Sequence, residues 1–180
     1  MTNHVHLIVQ PGGSRFAIGE LMKRLAGRQT RFVNKMERRT GSLWDSRYKI
    51  SPIQSDEYLL QCCRYVELNP VKAKMVESAE LYPWSSYAAK IGLVESRWLD
   101  LDPCFLSLYT TLNGCRRSYM EFVRAGIKPE EQSFIQEVVE CNQLTGNGRF
   151  VDEVETRIGV RVECRGRGRP VKEKREKVMS

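Results

Sequence analysis

Histidine is almost missing from this sequence. The chain of 180 residues has two, His4 and His6, and none after them. No apolar run reaches the roughly 18 residues that span a bilayer, which argues against a membrane-spanning protein. The N-terminal stretch turns polar after residue 9 and has no apolar core of a secretory signal. Six cysteines are present, at Cys62, Cys63, Cys104, Cys115, Cys141 and Cys164, but no two form a CxxC pair. That argues against a cysteine zinc site or a redox motif, and without a secretory context the thiols read as reduced and cytosolic. Acidic residues are in deficit: 22 Asp and Glu against 29 Lys and Arg leave a net charge of +7. Such a surplus points to a polyanionic partner, most often nucleic acid, with a merely soluble basic protein as the alternative. Hydrophobic residues make up 41% of the chain, enough to bury a core.

Residues 4–10 alternate as a strand does. Val5, Leu7 and Val9 share one face and His4, His6 and Ile8 the other, until Pro11-Gly12-Gly13 breaks the run. Residues 14–39 read as a long helix, with Ile18, Leu21, Met22, Leu25, Phe32, Val33 and Met36 at helical spacing. Its other face carries Lys23, Arg24, Arg28, Arg31, Lys35, Arg38 and Arg39 against only Glu20 and Glu37. A salt-bridged face would mix the signs more evenly, so this one fits phosphate contact, a solvated face being the alternative. The stretch LWDSRYKISPI reads as a second strand, with Trp44, Tyr48 and Ile50 on one side and Arg47 and Lys49 on the other, ended by Pro52.

Ser55 is an expected N-cap, with Asp56 and Glu57 in the first turn where negative charge suits the helix dipole. The helix it opens runs to about Leu68, with Leu59, Cys62, Cys63 and Val66 as its apolar stripe and Pro70 as its stop or the start of the next turn. A short helix is expected over 71–78 and an ordered loop over 82–87. Beyond residue 93 strand signals vanish. Helical segments fall near 115–125, 130–141 and 148–159, separated by Gly126 and by TGNG at 145–148. They permit a helix-turn-helix or a plain helical bundle. The last twenty residues hold eight Lys or Arg and three Glu, hence +5 of the +7. With no apolar periodicity this tail reads as disordered when free. Its RGRGRP resembles arginine hooks for a narrow minor groove, or serves only to add non-specific affinity.

Histidines at i and i+2 of a strand point to one side and lie a few ångströms apart, a spacing that suits one cation or simply a polar surface. In CRYVELNP, Tyr65 and Asn69 stand four apart and are neighbours on a helix, flanking the apolar stripe where helix meets sheet. Two imidazoles and one amide oxygen leave coordination positions open, which suits Mg²⁺ or Mn²⁺ handling a phosphate better than a closed zinc site. A tyrosine beside such a metal has the chemistry of a nucleophile; its pKa near 10 then calls for a polarised target or a proton acceptor. Otherwise Tyr65 is a half-buried aromatic and Asn69 a cap before Pro70.

The segments NHVHLIV, LWDSRYK, RYVELNPVKA and YPWSSY, in that order and spacing, resemble the HUH single-tyrosine transposases, and most of all their REP-associated branch, which acts on palindromes dispersed through bacterial genomes. The likeness is strong over roughly residues 1–90; TGNGRFVDEVETRIG and the arginine-rich end are similar more loosely. It implies an α+β, ferredoxin-like catalytic domain over 1–92, a helical region over 93–160 and a basic tail over 161–180. Family members carry a strand and a helix before the histidine strand, whereas this chain begins three residues before His4, so the expected domain lacks its first strand and helix. The resemblance further implies that His4 and His6 bind Mg²⁺ or Mn²⁺ with Asn69 as a further ligand. Tyr65 would then attack single-stranded DNA beside a hairpin, taking the 5′ phosphate and freeing a 3′ hydroxyl. Lys23, Arg24, Arg28, Arg31, Lys35, Arg38, Arg47, Lys49, Arg165, Arg167 and Arg169 are the expected DNA contacts, and the expected place is the cytoplasm, at the bacterial nucleoid. Two other functions stay open: a non-enzymatic nucleic-acid-binding protein derived from a truncated transposase, and a phosphodiesterase in which water attacks.

Overall fold

The computed structural model describes residues 3–14, 16–55 and 58–159. The expected first-turn acids Asp56 and Glu57, and the basic tail with Arg165, Arg167 and Arg169, lie outside the described residues. Seven α-helices follow one another among those residues: α1 (Ala17–Met36), α2 (Leu59–Lys72), α3 (Tyr87–Lys90), α4 (Pro103–Leu106), α5 (Leu112–Arg124), α6 (Pro129–Glu140) and α7 (Gly148–Ile158), with a 3₁₀ turn at Ala79–Leu81.

The expected α+β, ferredoxin-like fold is overturned: among the described residues there is no strand and no sheet. Residues 4–12 and 47–52 have neither helix nor ladder, and one isolated parallel bridge, Ile53 to Thr145, is all that pairs. Alternation of apolar and polar residues records a two-faced segment; a strand also needs an edge to exchange hydrogen bonds with. Here Val5, Leu7 and Val9 stay 59%, 53% and 42% exposed, so water meets the polar backbone that a ladder would have satisfied. The same holds for α1. Its apolar stripe is present at helical spacing, yet no residue of the helix is buried, and Phe32 and Met36 are exposed.

The core lies instead around α2 and α5. Cys63, Ala79, Tyr87, Ile91, Phe105, Cys115, Tyr119 and Val123 form one buried cluster, with Leu59, Leu60, Leu68 and Val71 of α2 packed against it. Phe105 and Tyr119 stack edge to face at 5.4 Å between centroids, a favoured aromatic geometry. The cluster draws on residues from both sides of position 92. Local signals fix the later helices. Thr111 caps α5 through the Gly114 N–H, Asn147 caps α7 through the Phe150 N–H, and Pro129 opens α6. Gly92 follows α3 at φ +83°, where a Cβ would meet the Arg116 guanidinium.

Pro70 does not stop α2. The helix runs on to Lys72, and the Ala73 N–H still bonds the Asn69 carbonyl. Proline removes the bond to the Val66 carbonyl and disfavours the helical conformation of Asn69 before it, a cost of roughly 3 kcal/mol. Burial of Pro70 and the anchors of α2 described below offset that cost.

Candidate functional site

Helix α2 is oriented by two buried polar anchors. Arg64 Nη2 meets both oxygens of Glu131 on α6 at 2.7 Å, Nη1 donates to the Phe122 carbonyl at 3.3 Å, and the guanidinium lies 3.9 Å above the Phe122 ring. One turn later Glu67, 1% exposed, accepts hydrogen bonds from Tyr119 OH at 2.6 Å and Ser86 Oγ at 3.1 Å. Lys90 Nζ stands 3.8 Å from Glu67 and 4.0 Å from Asp102. Burial pushes the Glu67 carboxyl up from the usual range, and Lys90 with the two hydroxyls pulls it back. Burial acts on Lys90 in the lowering sense, and Glu67 leads the groups that outweigh it, so the ammonium stays charged between two carboxylates.

These anchors point Tyr65 and Asn69 the other way. At about 100° per residue, the Arg64–Glu67 pair and the Tyr65–Asn69 pair lie roughly 150° apart around the helix. Tyr65 and Asn69 thereby reach the extended N-terminal segment rather than the edge of a sheet. Asn69 Nδ2 donates to His6 Nε2 at 2.8 Å. The His6 and Tyr65 rings stand 6.0 Å apart and nearly perpendicular, and the His4 and His6 rings 5.0 Å apart at 90°. His4 Nδ1 lies 2.7 Å from Asn3 Oδ1. The four residues His4, His6, Tyr65 and Asn69 therefore meet in one place, although 59 positions separate His6 from Tyr65.

The electrostatics of this cluster are specific. His6 is held below the ordinary imidazole pKa by burial first, then by His4 and the N-terminal charge. It is neutral and keeps a lone pair, which the Asn69 amide now occupies. Burial first, and then the Glu140 carboxylate, raise the Tyr65 phenol above its usual value, so the hydroxyl keeps its proton. Among the described residues no group of three His, Cys, Asp or Glu is placed to hold an ion. Two imidazoles and an amide are the donor types of an open divalent site, but as placed the amide nitrogen of Asn69, not its oxygen, faces His6. They do not fit a closed structural one.

The expected basic contacts that fall within the described residues are all exposed. Lys23, Arg24, Arg28, Arg31 and Lys35 are exposed on α1, and Arg24, Arg28, Arg31 and Lys35 share one face at i, i+4, i+7, i+11 spacing. Arg24 has an exposed partner in Glu20 at 3.9 Å. Arg38 follows the helix in the left-handed region at φ +50°. Arg47 and Lys49 are exposed in the segment after it. What sequence reasoning misses is the Glu67 network. The signal was in the periodicity: Glu67 continues the row Leu59–Cys63 at i+4, where an apolar residue is due. YPWSSY has a structural role in the same network, since Ser86 bonds Glu67 and Tyr87 is 1% exposed in the core.

Residues 1–69, from before the two histidines to Asn69, match the family model described as Transposase IS200 like. No curated protein and no solved structure matches the chain. The family match supports a transposase-type function, with DNA as the partner. Among the described residues no helix is long and apolar enough to cross a membrane.

Proposed function

We propose that this chain cleaves and rejoins single-stranded DNA beside a hairpin, with Tyr65 as the nucleophile. The Tyr65 oxygen attacks the scissile phosphorus and the phenolic proton passes to water. The bond from phosphorus to the 3′ oxygen breaks, and that oxygen takes up a proton to leave as a 3′ hydroxyl. The 5′ phosphate stays on the tyrosine as a diester, which conserves the bond energy for rejoining when a 3′ hydroxyl attacks in reverse.

His4, His6 and Asn69 would hold a divalent Mg²⁺ or Mn²⁺, which would polarise the phosphate when bound. The chain's own residues do the rest. Neutral His6 can serve as a ligand once the Asn69 amide nitrogen gives up Nε2. The anchors on the far side of α2 hold Tyr65 and Asn69 against the imidazoles. The cations of α1 neutralise the phosphates on either side. The observation that carries this reading is the 2.8 Å contact of Asn69 with His6 beside the Tyr65 ring, within the segment of the family match. The hairpin preference rests on the motif likeness to the REP-associated branch.

A second reading, nucleic-acid binding without cleavage, draws on the exposed basic row of α1. One experiment separates the two. A labelled hairpin with a single-stranded flank is incubated with the protein and Mn²⁺, then run on a denaturing gel. A covalent adduct that EDTA and His6→Ala both abolish is expected. Binding that ignores EDTA and His6→Ala, with no adduct, is the outcome of the second reading.

A further inference from the structure

The segment after α1 forms one wall of an open cleft of about 480 Å³, lined by Ser46, Arg47, Tyr48, Lys49, Ile50 and Asn142. That volume falls within the roughly 300–1,000 Å³ of small-ligand sites. Its chemistry is of one kind. Arg47 and Lys49 are exposed, and among the described residues neither lies within ion-pair distance of an acid. Tyr48 between them is 44% exposed, and a Cβ at Gly19 of α1 would lie 3.9 Å from its hydroxyl. Gly19 is one turn before Lys23, so the cleft adjoins the basic helix.

The sixth lining residue, Asn142, comes from far along the chain and is fixed there. Asn142 follows α6 in the left-handed region at φ +55°, which asparagine tolerates better than most residues. Its Oδ1 accepts the Ile50 N–H at 2.9 Å, and its Nδ2 makes no hydrogen bond among the described residues. Thr145 fastens the same two segments. Its N–H donates to the Pro52 carbonyl and its carbonyl accepts the Gln54 N–H, each at 2.8 Å, and its hydroxyl meets Ser51 Oγ at 2.8 Å. The cleft is therefore braced before anything enters it.

We infer that this cleft binds single-stranded DNA. Arg47 and Lys49 engage two phosphates, the Tyr48 ring carries an unstacked base, and Asn142 Nδ2 offers a donor to a base edge. An aromatic face flanked by cations is the usual grip on a single strand, because every base has a face to stack and a duplex does not offer it. The inference rests on the reading of the chain as a single-strand DNA enzyme, and extends it to a second place on the molecule, joined to the C-terminal helices by Asn142.

The test measures fluorescence anisotropy of a labelled twelve-nucleotide oligothymidylate with the full chain, across a salt series. The variants are Arg47→Ala with Lys49→Ala, Tyr48→Ala and Tyr48→Phe. The double variant is expected to bind at least about tenfold more weakly, with the salt slope reduced by about 1.4 for two lost phosphates. Tyr48→Ala is expected to weaken binding by about tenfold or more at an unchanged slope, and Tyr48→Phe to restore it. Wild-type affinity and slope in all three variants would overturn the inference. The adduct assay run in parallel keeps the two readings apart. If the variants bind normally while the wild type forms an adduct, the cleft falls and the cleavage stands. If the variants lose binding while the wild type never forms an adduct, the cleavage falls and the cleft stands.

Discussion

The Tyr119 hydroxyl on α5 donates to the Glu67 carboxylate on α2 across 2.6 Å of fully buried core. Glu67 lies two residues from Tyr65 and two from Asn69, so this one bond ties the rotation of the candidate nucleophile's helix to the centre of the fold. Replacing Glu67 with Ala strands the Tyr119 hydroxyl and leaves Asp102, at 4.0 Å, as the remaining carboxylate in ion-pair range of Lys90. A loss of about 3–5 kcal/mol is expected in urea unfolding, as for a buried pair deprived of one partner. Glu67→Gln keeps one of the two acceptor oxygens and gives up the charge, so its loss is smaller than that of Ala. Equal losses in the two variants would mean that the hydrogen bonds contribute nothing.

The second anchor is tested on the other helix. Glu131→Ala leaves the Arg64 guanidinium, 8% exposed, without its carboxylate. About 3 kcal/mol of stability should be lost. Arg64→Lys should not rescue the geometry, since an ammonium that meets Glu131 cannot also bond the Phe122 carbonyl and lie flat on the Phe122 ring. Chemical denaturation of the two single variants and of the double variant gives the coupling directly.

How much of this was legible in the sequence varies by element. Helices α5, α6 and α7 fall within about three residues of the segments expected from periodicity, because Thr111, Pro129 and Asn147 mark their starts in the local chemistry. The absence of a sheet among the described residues was not legible, because alternation over 4–10 fixes which side chains share a face and says nothing of a partner edge. Pro70 was expected to end α2; packing of a buried proline overrode the local rule. The pairs His4–His6 and Tyr65–Asn69 were readable from i, i+2 and i, i+4 spacing. Their meeting across the chain was expected only from the motif resemblance, since no local pattern encodes a long-range contact. The anchors stayed hidden because a buried Glu or Arg looks in sequence like any surface charge.

The thiols give a pH-dependent prediction. Burial is the first cause that pushes Cys62 up to about 12 and Cys63 to about 11, from an ordinary 9.0. Both folded values are raised above the unfolded one. The stability these groups contribute is therefore complete below about pH 9 and lost as pH climbs through 11 to 12. At pH 8 a thiol-specific alkylating reagent should label exposed Cys141 and spare Cys62 and Cys63 until the chain is unfolded. Peptide mapping of the alkylated protein checks this, and rapid labelling of Cys62 in the native chain would contradict the packing of α2.

The basic row of α1 predicts a salt dependence. Arg28→Ala and Arg31→Ala each remove one exposed cation from the same face. Each should lower the slope of log affinity against log salt by about 0.7 on single strands, with little change in thermal stability. Binding should weaken evenly across DNA sequences, because phosphate contacts position a strand without reading it. A loss confined to one sequence would place these arginines at base edges.

The central claim is the chemistry of Tyr65, and mapping the covalent adduct tests it most directly. The protein is reacted with a labelled hairpin and Mn²⁺, digested, and the DNA-bearing peptide is sequenced by mass spectrometry. The account predicts a 5′ phosphate joined to Tyr65, with a free 3′ hydroxyl on the released strand and no adduct from Tyr65→Phe. A phosphate joined to any other residue, or cleavage that leaves both DNA products free of protein, would contradict it.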